Sequence, residues 1–334
     1  MGESGDSSGG LCPGWAGRYI NGMSSPILGL HHVTATVDDA QADLDFSVET
    51  LGLRLVKKTV NFDNHFVYHF YYGDEVGQPG TIWTTFPYKG RGVPVGTKGA
   101  GQITVTSFSV PAGSLDTWKR RLRERGYTVT DAPPRFGEES IVVTDPSGLV
   151  IELIANDADS RRPWTAGGVD AAAAVRGLHS VSLEVREPRR TVDFMREMLG
   201  FEVVDEMEGR IRVAVNGDGP GKRMDIIHAS DAAWARNGLG TVHHVAMAIG
   251  SDNDQRMIRE ELIGRAHVTD VRDRQYFKSI YFREPGGVLF EIATMRPGFP
   301  VDEPVPELGR ALKLPPWEEP HRAEIEAQLP NVRY

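Results

Sequence analysis

Residues 29–33 read GLHHV and residues 177–181 read GLHSV, and the repeat that these two stretches begin decides the fold. Extended without a gap, the alignment brings Gly52 onto Gly200, each at the end of a segment with apolar residues at helical spacing. In both copies a short apolar strand leads through an acidic turn into this helix, and another strand follows. The register therefore predicts a strand–helix–strand unit that occurs at least twice.

A second repeat supports the first. Residues 145–152 read DPSGLVIE and residues 284–291 read EPGGVLFE, so each is a Pro-Gly turn that leads into an apolar strand with one glutamate. Weaker strand starts, each followed by a helical stretch, occur at 102–110 and 242–249. Together the repeats predict an α+β fold built from four βαβββ units, at about 28–88, 101–156, 176–230 and 240–295.

Units that are consecutive in the sequence are expected to form one domain. This predicts an N-terminal domain at 27–160 and a related C-terminal domain at 174–296. Residues 1–26 are rich in Gly and Ser and are expected to form a flexible tail. Residues 297–334 form a C-terminal extension. Its Pro-rich part, 297–316, is a candidate to wrap a neighbouring unit, which leaves a homo-oligomer open.

Composition excludes several classes of function. The 334 residues are 40% hydrophobic and 25% charged, as in a globular protein with an ample core. A net charge of -9 argues against a nucleic-acid partner, which needs a basic surface. No apolar run is long enough for a membrane span, and the start of the chain does not read as a secretory signal. The single cysteine, Cys12, allows no internal disulfide, so we expect a cytoplasmic protein.

Paired histidines open units one and four, and their position within the strand is informative. The second residue of the pair is His32 in unit one and His244 in unit four, but Ser180 in unit three. Successive strand residues face opposite sides of a sheet, so the two positions cannot serve one pocket equally. A lone strand histidine is more often a packed core residue than a ligand. The recurrence at one position favours His32 and His244 as ligands.

Glu291 completes a candidate metal site. It lies on an otherwise apolar strand of unit four, where a carboxylate must be paired, protonated or bound to a metal. Two histidines and one carboxylate match the facial triad of non-haem iron(II) oxygenases. The alternative set replaces His32 with His179 and ranks second, because Ser180 takes the ligand position in unit three. Glu152, which has no matching histidine in unit two, is interpreted as a structural carboxylate.

These features resemble the vicinal oxygen chelate superfamily, whose members are built from paired βαβββ units. The chain is most similar to its hydroquinone ring-cleaving dioxygenases, the group that includes 2,6-dichlorohydroquinone 1,2-dioxygenase. The likeness covers nearly all of the chain after residue 27. The segments that carry it are LHHVT at 30–34, GQPGT at 77–81, TTFP at 84–87, GLHS at 177–180, the histidine pair at 243–244, SIY at 279–281, GGVLFE at 286–291 and LKLPP at 312–316.

The resemblance implies a fold in which units one and four pair around a metal ion in a cupped mixed sheet. It assigns the metal to His32, His244 and Glu291, the set that the repeat also favours. The ion would be Fe(II), with Mn(II) left open because it shares these ligands. The partners would be a small aromatic substrate and O2, and the reaction the cleavage of a hydroquinone ring.

The resemblance also carries roles beside the metal onto five residues, namely His31, Thr34, His243, Arg274 and Tyr281. Tyr281 would offer a hydroxyl that donates to the substrate or moves a proton, and Arg274 a fixed cation. Thr34 shares the strand face of His32. Strict alternation places His31 and His243 behind the metal wall, where they would orient the ligands. A catechol-cleaving dioxygenase and a glyoxalase-like lyase or isomerase stay open as alternatives.

Overall fold

The computed structural model describes residues 24–334, so most of the expected tail at 1–26 lies outside the described residues. Unit one consists of β1 (Ile27–Val37), α1 (Ala40–Leu44, continued by a π-helical turn at Asp45–Thr50), β2 (Arg54–Asn61), β3 (Asn64–Gly73) and β4 (Ile82–Pro87). Unit two consists of β5 (Gln102–Val110), α2 (Leu115–Glu124), β6 (Val129–Asp131), β7 (Ser140–Thr144) and β8 (Val150–Ala155).

The second half of the chain repeats this order. Unit three consists of β9 (Gly177–Val185), α3 (Pro188–Leu199), β10 (Glu202–Met207), β11 (Arg210–Ala214) and β12 (Arg223–His228). Unit four consists of β13 (Thr241–Ile249), α4 (Asp252–Leu262), β14 (Arg272–Asp273), β15 (Lys278–Arg283) and β16 (Leu289–Thr294). The predicted α+β fold of four βαβββ units is confirmed.

The strands form two eight-stranded mixed sheets that do not follow chain order. One sheet, called here the first sheet, has the order β14-β15-β16-β13-β1-β4-β3-β2 and joins units four and one. The second sheet has the order β10-β11-β12-β9-β5-β8-β7-β6 and joins units three and two. At the centre of each sheet, the first strands of the two units pair antiparallel, β1 with β13 and β9 with β5. The division into chain-order domains at 27–160 and 174–296 stays a prediction.

Apolar side chains that alternate along the central strands form the core. Val33, Ala35 and Val37 of β1 are fully buried, and the short helices cover the outer faces of the sheets through residues such as Leu44 and Trp118. The opposite face of the first sheet is concave and carries polar and aromatic side chains. This division of the two faces follows from the period of two along a strand, and it leaves the inner face free for a site.

The C-terminal extension runs back across the first sheet and ends in a short helix, α5 (Arg322–Gln328). Lys57 of β2 is fully buried, and its ammonium group lies 2.5 Å from both the Asp302 and the Glu303 carboxylates of the extension. Phe299 packs on Tyr71 of β3 with ring centroids 4.9 Å apart. The extension therefore closes one edge of the cup. In the part of the chain that the structure describes, no helix is long and apolar enough to cross a membrane.

Candidate metal centre

Three neighbouring strands at the middle of the first sheet bring His32, His244 and Glu291 together. His32 lies on β1 and His244 on its antiparallel neighbour β13, while Glu291 lies on β16, which pairs parallel to β13. All three side chains are buried, with 2%, 5% and 0% of their surface exposed. Among the described residues they are the one group of three histidine, cysteine or acidic side chains placed to share a metal ion.

The three ligand atoms form a small triangle. His32 Nε2 lies 3.2 Å from His244 Nε2, and Glu291 Oε2 lies 3.3 Å from His32 Nε2 and 2.8 Å from His244 Nε2. Ligands about 2.1 Å from an ion and at right angles to each other are about 3.0 Å apart. The triangle therefore fits three adjacent positions of an octahedral ion. Glu291 Oε2 is also buried without a properly oriented hydrogen bond, as expected for an oxygen that a cation would satisfy.

Hydrogen bonds to the preceding histidines fix the two imidazole ligands. His31 Nδ1 lies 2.8 Å from His32 Nδ1, and His243 Nδ1 lies 2.7 Å from His244 Nδ1. One nitrogen of each close pair must carry the proton. If it is the Nδ1 of the ligand, its Nε2 has a free lone pair for a metal, which is the tautomer that a ligand requires. The donor set thus fits a divalent cation.

Two β-bulges make these contacts possible. In the pairing of β1 with β13, His31 is an extra residue between Leu30 and His32, and His243 is an extra residue on the opposite strand. A bulge re-aims side chains that strict alternation would place on opposite faces. The expectation that both preceding histidines point behind the metal wall is therefore wrong for His243, which lines the cavity, whereas His31 does not.

Burial and charge act together on the site. Burial raises the pKa of Glu291, but the imidazoles of His32 and His244 outweigh it and hold that pKa well below its usual range. Burial lowers the pKa of His31 to about 3, and the neighbouring His32 lowers it further. The pKa of His243 is lowered to about 3 by burial first and by His244 second. The lowered pKa values keep His31 and His243 neutral beside an ionised Glu291, an arrangement that suits a bound cation.

One wall of the cavity comes from unit four and contains two of the predicted residues. The Tyr281 hydroxyl accepts a hydrogen bond of 3.1 Å from Arg274 Nε, while Arg274 Nη2 donates to Asp63 Oδ2 at 2.9 Å. The Tyr281 ring lies 5.7 Å from the ring of His244. Burial raises the pKa of Tyr281, so its hydroxyl stays protonated. The structure therefore places a hydroxyl donor and a fixed cation beside the candidate ligands.

Ser279 was not singled out from the sequence, although it contacts a candidate ligand directly. Its hydroxyl donates a hydrogen bond of 2.5 Å to Glu291 Oε1, the carboxylate oxygen outside the ligand triangle. Ser279 pairs with Ala293, two residues after Glu291 on β16, and it precedes Tyr281 by two residues on its own strand. Alternation from Tyr281 would have placed it on the inner face, and this is the signal that could have found it.

The opposite wall comes from unit one, and most of it was missed from the sequence. His69 and Tyr71 of β3 line the cavity, and His69 Nε2 lies 2.7 Å from Thr84 Oγ1 on β4. Thr84 in turn donates to Thr34 Oγ1 at 3.2 Å. Thr34 is fully buried beneath this contact and does not itself line the cavity. Thr34 was expected to reach the pocket because it shares a strand face with His32. The structure connects it to the pocket only through Thr84.

Aromatic rings complete the cavity, which has a volume of about 220 Å³. A cavity of about 150 Å³ is enough for benzene, so one substituted ring fits. The cavity lining combines polar groups, among them the ligand triangle, with aromatic rings. These ring-bearing residues are Phe62, Tyr71, Phe86, Tyr88, Phe277 and Tyr281. The shape and lining suit a small planar aromatic molecule.

Among the residues that the structure describes, the equivalent place in the second sheet gathers no group of metal ligands. Glu152 accepts a two-pronged ion pair from Arg135 and hydrogen bonds of 2.6 Å from both Ser107 and Ser140. This agrees with its interpretation as a structural carboxylate. His179 belongs to this sheet, where its Nε2 lies 3.0 Å from Glu138 Oε1. The second-ranked ligand set with His179 is therefore wrong, because that side chain is engaged elsewhere.

Comparisons with known proteins agree with the fold and with the family resemblance. The family model described as the Glyoxalase/Bleomycin resistance protein/Dioxygenase superfamily matches residues 29–153 and 177–292. The chain is 41% identical over 306 residues to MhqE of Bacillus subtilis strain 168, named as a candidate ring-cleaving dioxygenase, covering 91% of this chain and 99% of that protein. It is 37% identical over 305 residues to the chlorohydroquinone/hydroquinone 1,2-dioxygenase of Sphingobium indicum, covering 89% and 94%.

Solved structures show the same architecture. A candidate dioxygenase of Bacillus subtilis strain 168 superposes with a TM-score of 0.88 at 39% identity, covering 93% of this chain and 99% of that one. Glyoxalase I of Zea mays superposes with a TM-score of 0.59 at 15% identity, covering 80% and 92%. At that identity the second likeness concerns the fold alone.

Proposed function

Because the chain belongs to the glyoxalase/bleomycin resistance protein/dioxygenase superfamily, we propose that it is an iron(II)-dependent dioxygenase that cleaves the ring of hydroquinones. The observation that carries the proposal is the triangle of His32 Nε2, His244 Nε2 and Glu291 Oε2 at the floor of an aromatic cavity. Such a triangle occupies one face of an ion and leaves the opposite positions for two small ligands. Iron(II) held there would bring O2 and one substrate hydroxyl together and pass electrons between them.

The protein's own residues would do the rest of the work. Two ring walls, from Phe86 and Phe277, restrict the substrate to a flat orientation. Tyr281 accepts a hydrogen bond from Arg274, so it can donate its own proton to an oxygen of the substrate. Arg274 supplies a permanent positive charge beside the anion that forms when the substrate loses a proton.

The proposed reaction needs no further reactant. A hydroquinone and O2 combine into a ring-opened product that contains all of their atoms. The carbon–carbon bond next to the hydroxyl-bearing carbon held at the metal site breaks, and both oxygen atoms of O2 end in the product. The electrons that reduce O2 come from the substrate ring, so no separate reductant is required.

The lining of the cavity favours a dioxygenase over the alternatives. A lyase or isomerase of this fold generally uses a fourth protein ligand from the matching end strand of unit one, but that position is Thr84, whose hydroxyl is bonded to His69 and Thr34. The choice of hydroquinone over catechol is supported by the name of the Sphingobium indicum relative.

A cytoplasmic location is supported by the single cysteine, Cys12, which suits a reducing compartment.

The test is O2 uptake by protein loaded with iron(II) under nitrogen and then given hydroquinone, catechol or buffer. We expect uptake with hydroquinone at a rate well above that with catechol. His32→Ala and Glu291→Ala should each lose both bound iron and uptake. Ser180→Ala is a matched control, since Ser180 occupies the position of His32 in the second sheet. Full iron content and full uptake in either ligand variant would refute the site, and faster uptake with catechol would refute the substrate.

A further inference from the structure

An internal two-fold symmetry relates the two units of the first sheet. The two walls of the cavity can therefore be compared residue by residue. Glu291 of β16 lies opposite Tyr281 of β15, and Thr84 of β4 lies opposite Tyr71 of β3. The symmetry that takes His32 to His244 also takes Thr84 to Glu291 and Tyr71 to Tyr281. The place of the carboxylate ligand in unit four is therefore held in unit one by a threonine.

The correspondence extends by one more position on each wall. Ser279 precedes Tyr281 by two residues and donates to Glu291 at 2.5 Å. His69 precedes Tyr71 by two residues and lies 2.7 Å from Thr84 through its Nε2. The ring of His69 also lies 4.0 Å from Tyr71 and 4.2 Å from Phe86. His69, on the wall from unit one, thus occupies the position that Ser279 holds on the wall from unit four.

The hydrogen bonds of His69 determine which of its nitrogens is available. Thr84 donates its own proton to Thr34 Oγ1, so its oxygen accepts from His69 Nε2–H. Nδ1 is then the unprotonated nitrogen. Among the residues that the structure describes, Nδ1 has no hydrogen-bond donor, and the half-buried ring faces the cavity. An unpaired acceptor in an aromatic wall is a place for a donor from a ligand.

We propose that His69 recognises the second hydroxyl of the substrate, by accepting its hydrogen bond at Nδ1. Three strands, β13, β1 and β4, separate β16 from β3 in the sheet order, so His69 and Glu291 face each other across the curved cavity. The two hydroxyls of a catechol are adjacent and both lie near the metal site. Only a hydroxyl at the far end of the ring reaches the opposite wall. His69 is thus a specificity-determining residue for para-dihydroxylated rings, and this inference rests on the proposed function.

Two substitutions separate the cavity-facing nitrogen of His69 from its bond to Thr84. His69→Gln places an amide near Nε2 and keeps the bond to Thr84, but removes the acceptor at Nδ1. His69→Asn places an amide oxygen near Nδ1 and gives up the bond to Thr84. Calorimetry on iron(II)-loaded protein under nitrogen would compare the binding of hydroquinone with that of phenol, which lacks the second hydroxyl. Because there is no turnover, the readout is independent of activity.

We expect the wild-type protein and His69→Asn to bind hydroquinone about tenfold more tightly than phenol, since one buried hydrogen bond has this order of effect. In His69→Gln the two affinities should become nearly equal. The inference would be overturned if the ratio of hydroquinone to phenol affinity were unchanged in His69→Gln, or if both variants lost this ratio equally. Absence of O2 uptake with a normal wild-type ratio would instead refute the proposed function alone.

Discussion

Removal of Arg135 should destabilise the protein strongly, because this guanidinium neutralises a carboxylate at the place in the second sheet that corresponds to the metal centre. Glu152 is 1% exposed, and its main cationic partner is Arg135, which contacts both of its oxygens. Breaking a buried ion pair by removing one partner typically costs about 3–5 kcal/mol. Ser107 and Ser140 would still donate to Glu152, so we expect Arg135→Ala to cost about 3 kcal/mol, at the lower end of this range.

The same variant should change the pH dependence of stability. Burial raises the pKa of Glu152, but Arg135 outweighs burial and keeps that pKa below its ordinary value. This contribution to stability is therefore present at neutral pH and is lost as the pH falls. Without Arg135, burial would bring the folded-state pKa above the unfolded value, so the variant loses stability as the pH rises between them. The deficit relative to wild type should thus be larger at pH 8 than at pH 5.

Urea denaturation followed by circular dichroism at these two pH values would measure both effects. Arg210→Ala is the matched control, because Arg210 belongs to the same buried charge cluster and contacts Asp225 at 3.0 Å. Asp225 keeps Arg212 at 2.7 Å, so no carboxylate is left unpaired and the cost should be about 1 kcal/mol or less. A cost in Arg135→Ala no larger than in Arg210→Ala, or one that does not change with pH, would refute the reasoning.

Three further predictions test other parts of the molecule. Burial raises the pKa of Asp43 to about 7, so ionisation of this carboxyl should cost the wild type up to about 4 kcal/mol of stability between pH 4 and 8. Urea denaturation should show that Asp43→Asn removes this contribution. Arg274→Lys should lower kcat with hydroquinone about 100-fold because the guanidinium fork is lost, whereas Asp63→Asn should change it less than fivefold, since Asp63 is 59% exposed. Thr84→Glu should supply a fourth ligand, so elemental analysis should find zinc retained more tightly while O2 uptake is lost; uptake equal to wild type would contradict the assigned open position.

The repeat made the fold predictable, because a duplicated unit carries its strand and helix order in both copies. The same repeat singled out His32 over Ser180, and the structure places His32 beside His244 and Glu291. The C-terminal extension, in contrast, packs through contacts that no local pattern announces. Lys57 reads as a solvent-exposed residue of a strand, yet it is fully buried because two acidic residues far along the chain neutralise it.

The inner walls of the site could be predicted only in part. Period-two alternation fails at a β-bulge, and a bulge depends on the register between two strands rather than on either strand alone. For this reason the contact of His243 with the ligand His244 could not be derived from alternation. His69 could not be recognised from its own strand, because its hydrogen-bond partner, Thr84, lies on a different strand.

The two sheets show how one architecture can carry one metal centre rather than two. Each sheet keeps a buried glutamate at the same position, Glu291 in the first and Glu152 in the second, and each needs positive charge beside it. In the second sheet the positive charge belongs to a protein side chain and is permanent, because the Arg135 guanidinium contacts Glu152. In the first sheet the imidazoles of His32 and His244 occupy that place, and as metal ligands they would supply lone pairs instead of charge. A divalent cation would satisfy both the carboxylate and the lone pairs, and unlike a guanidinium it would have further positions open to a substrate and O2.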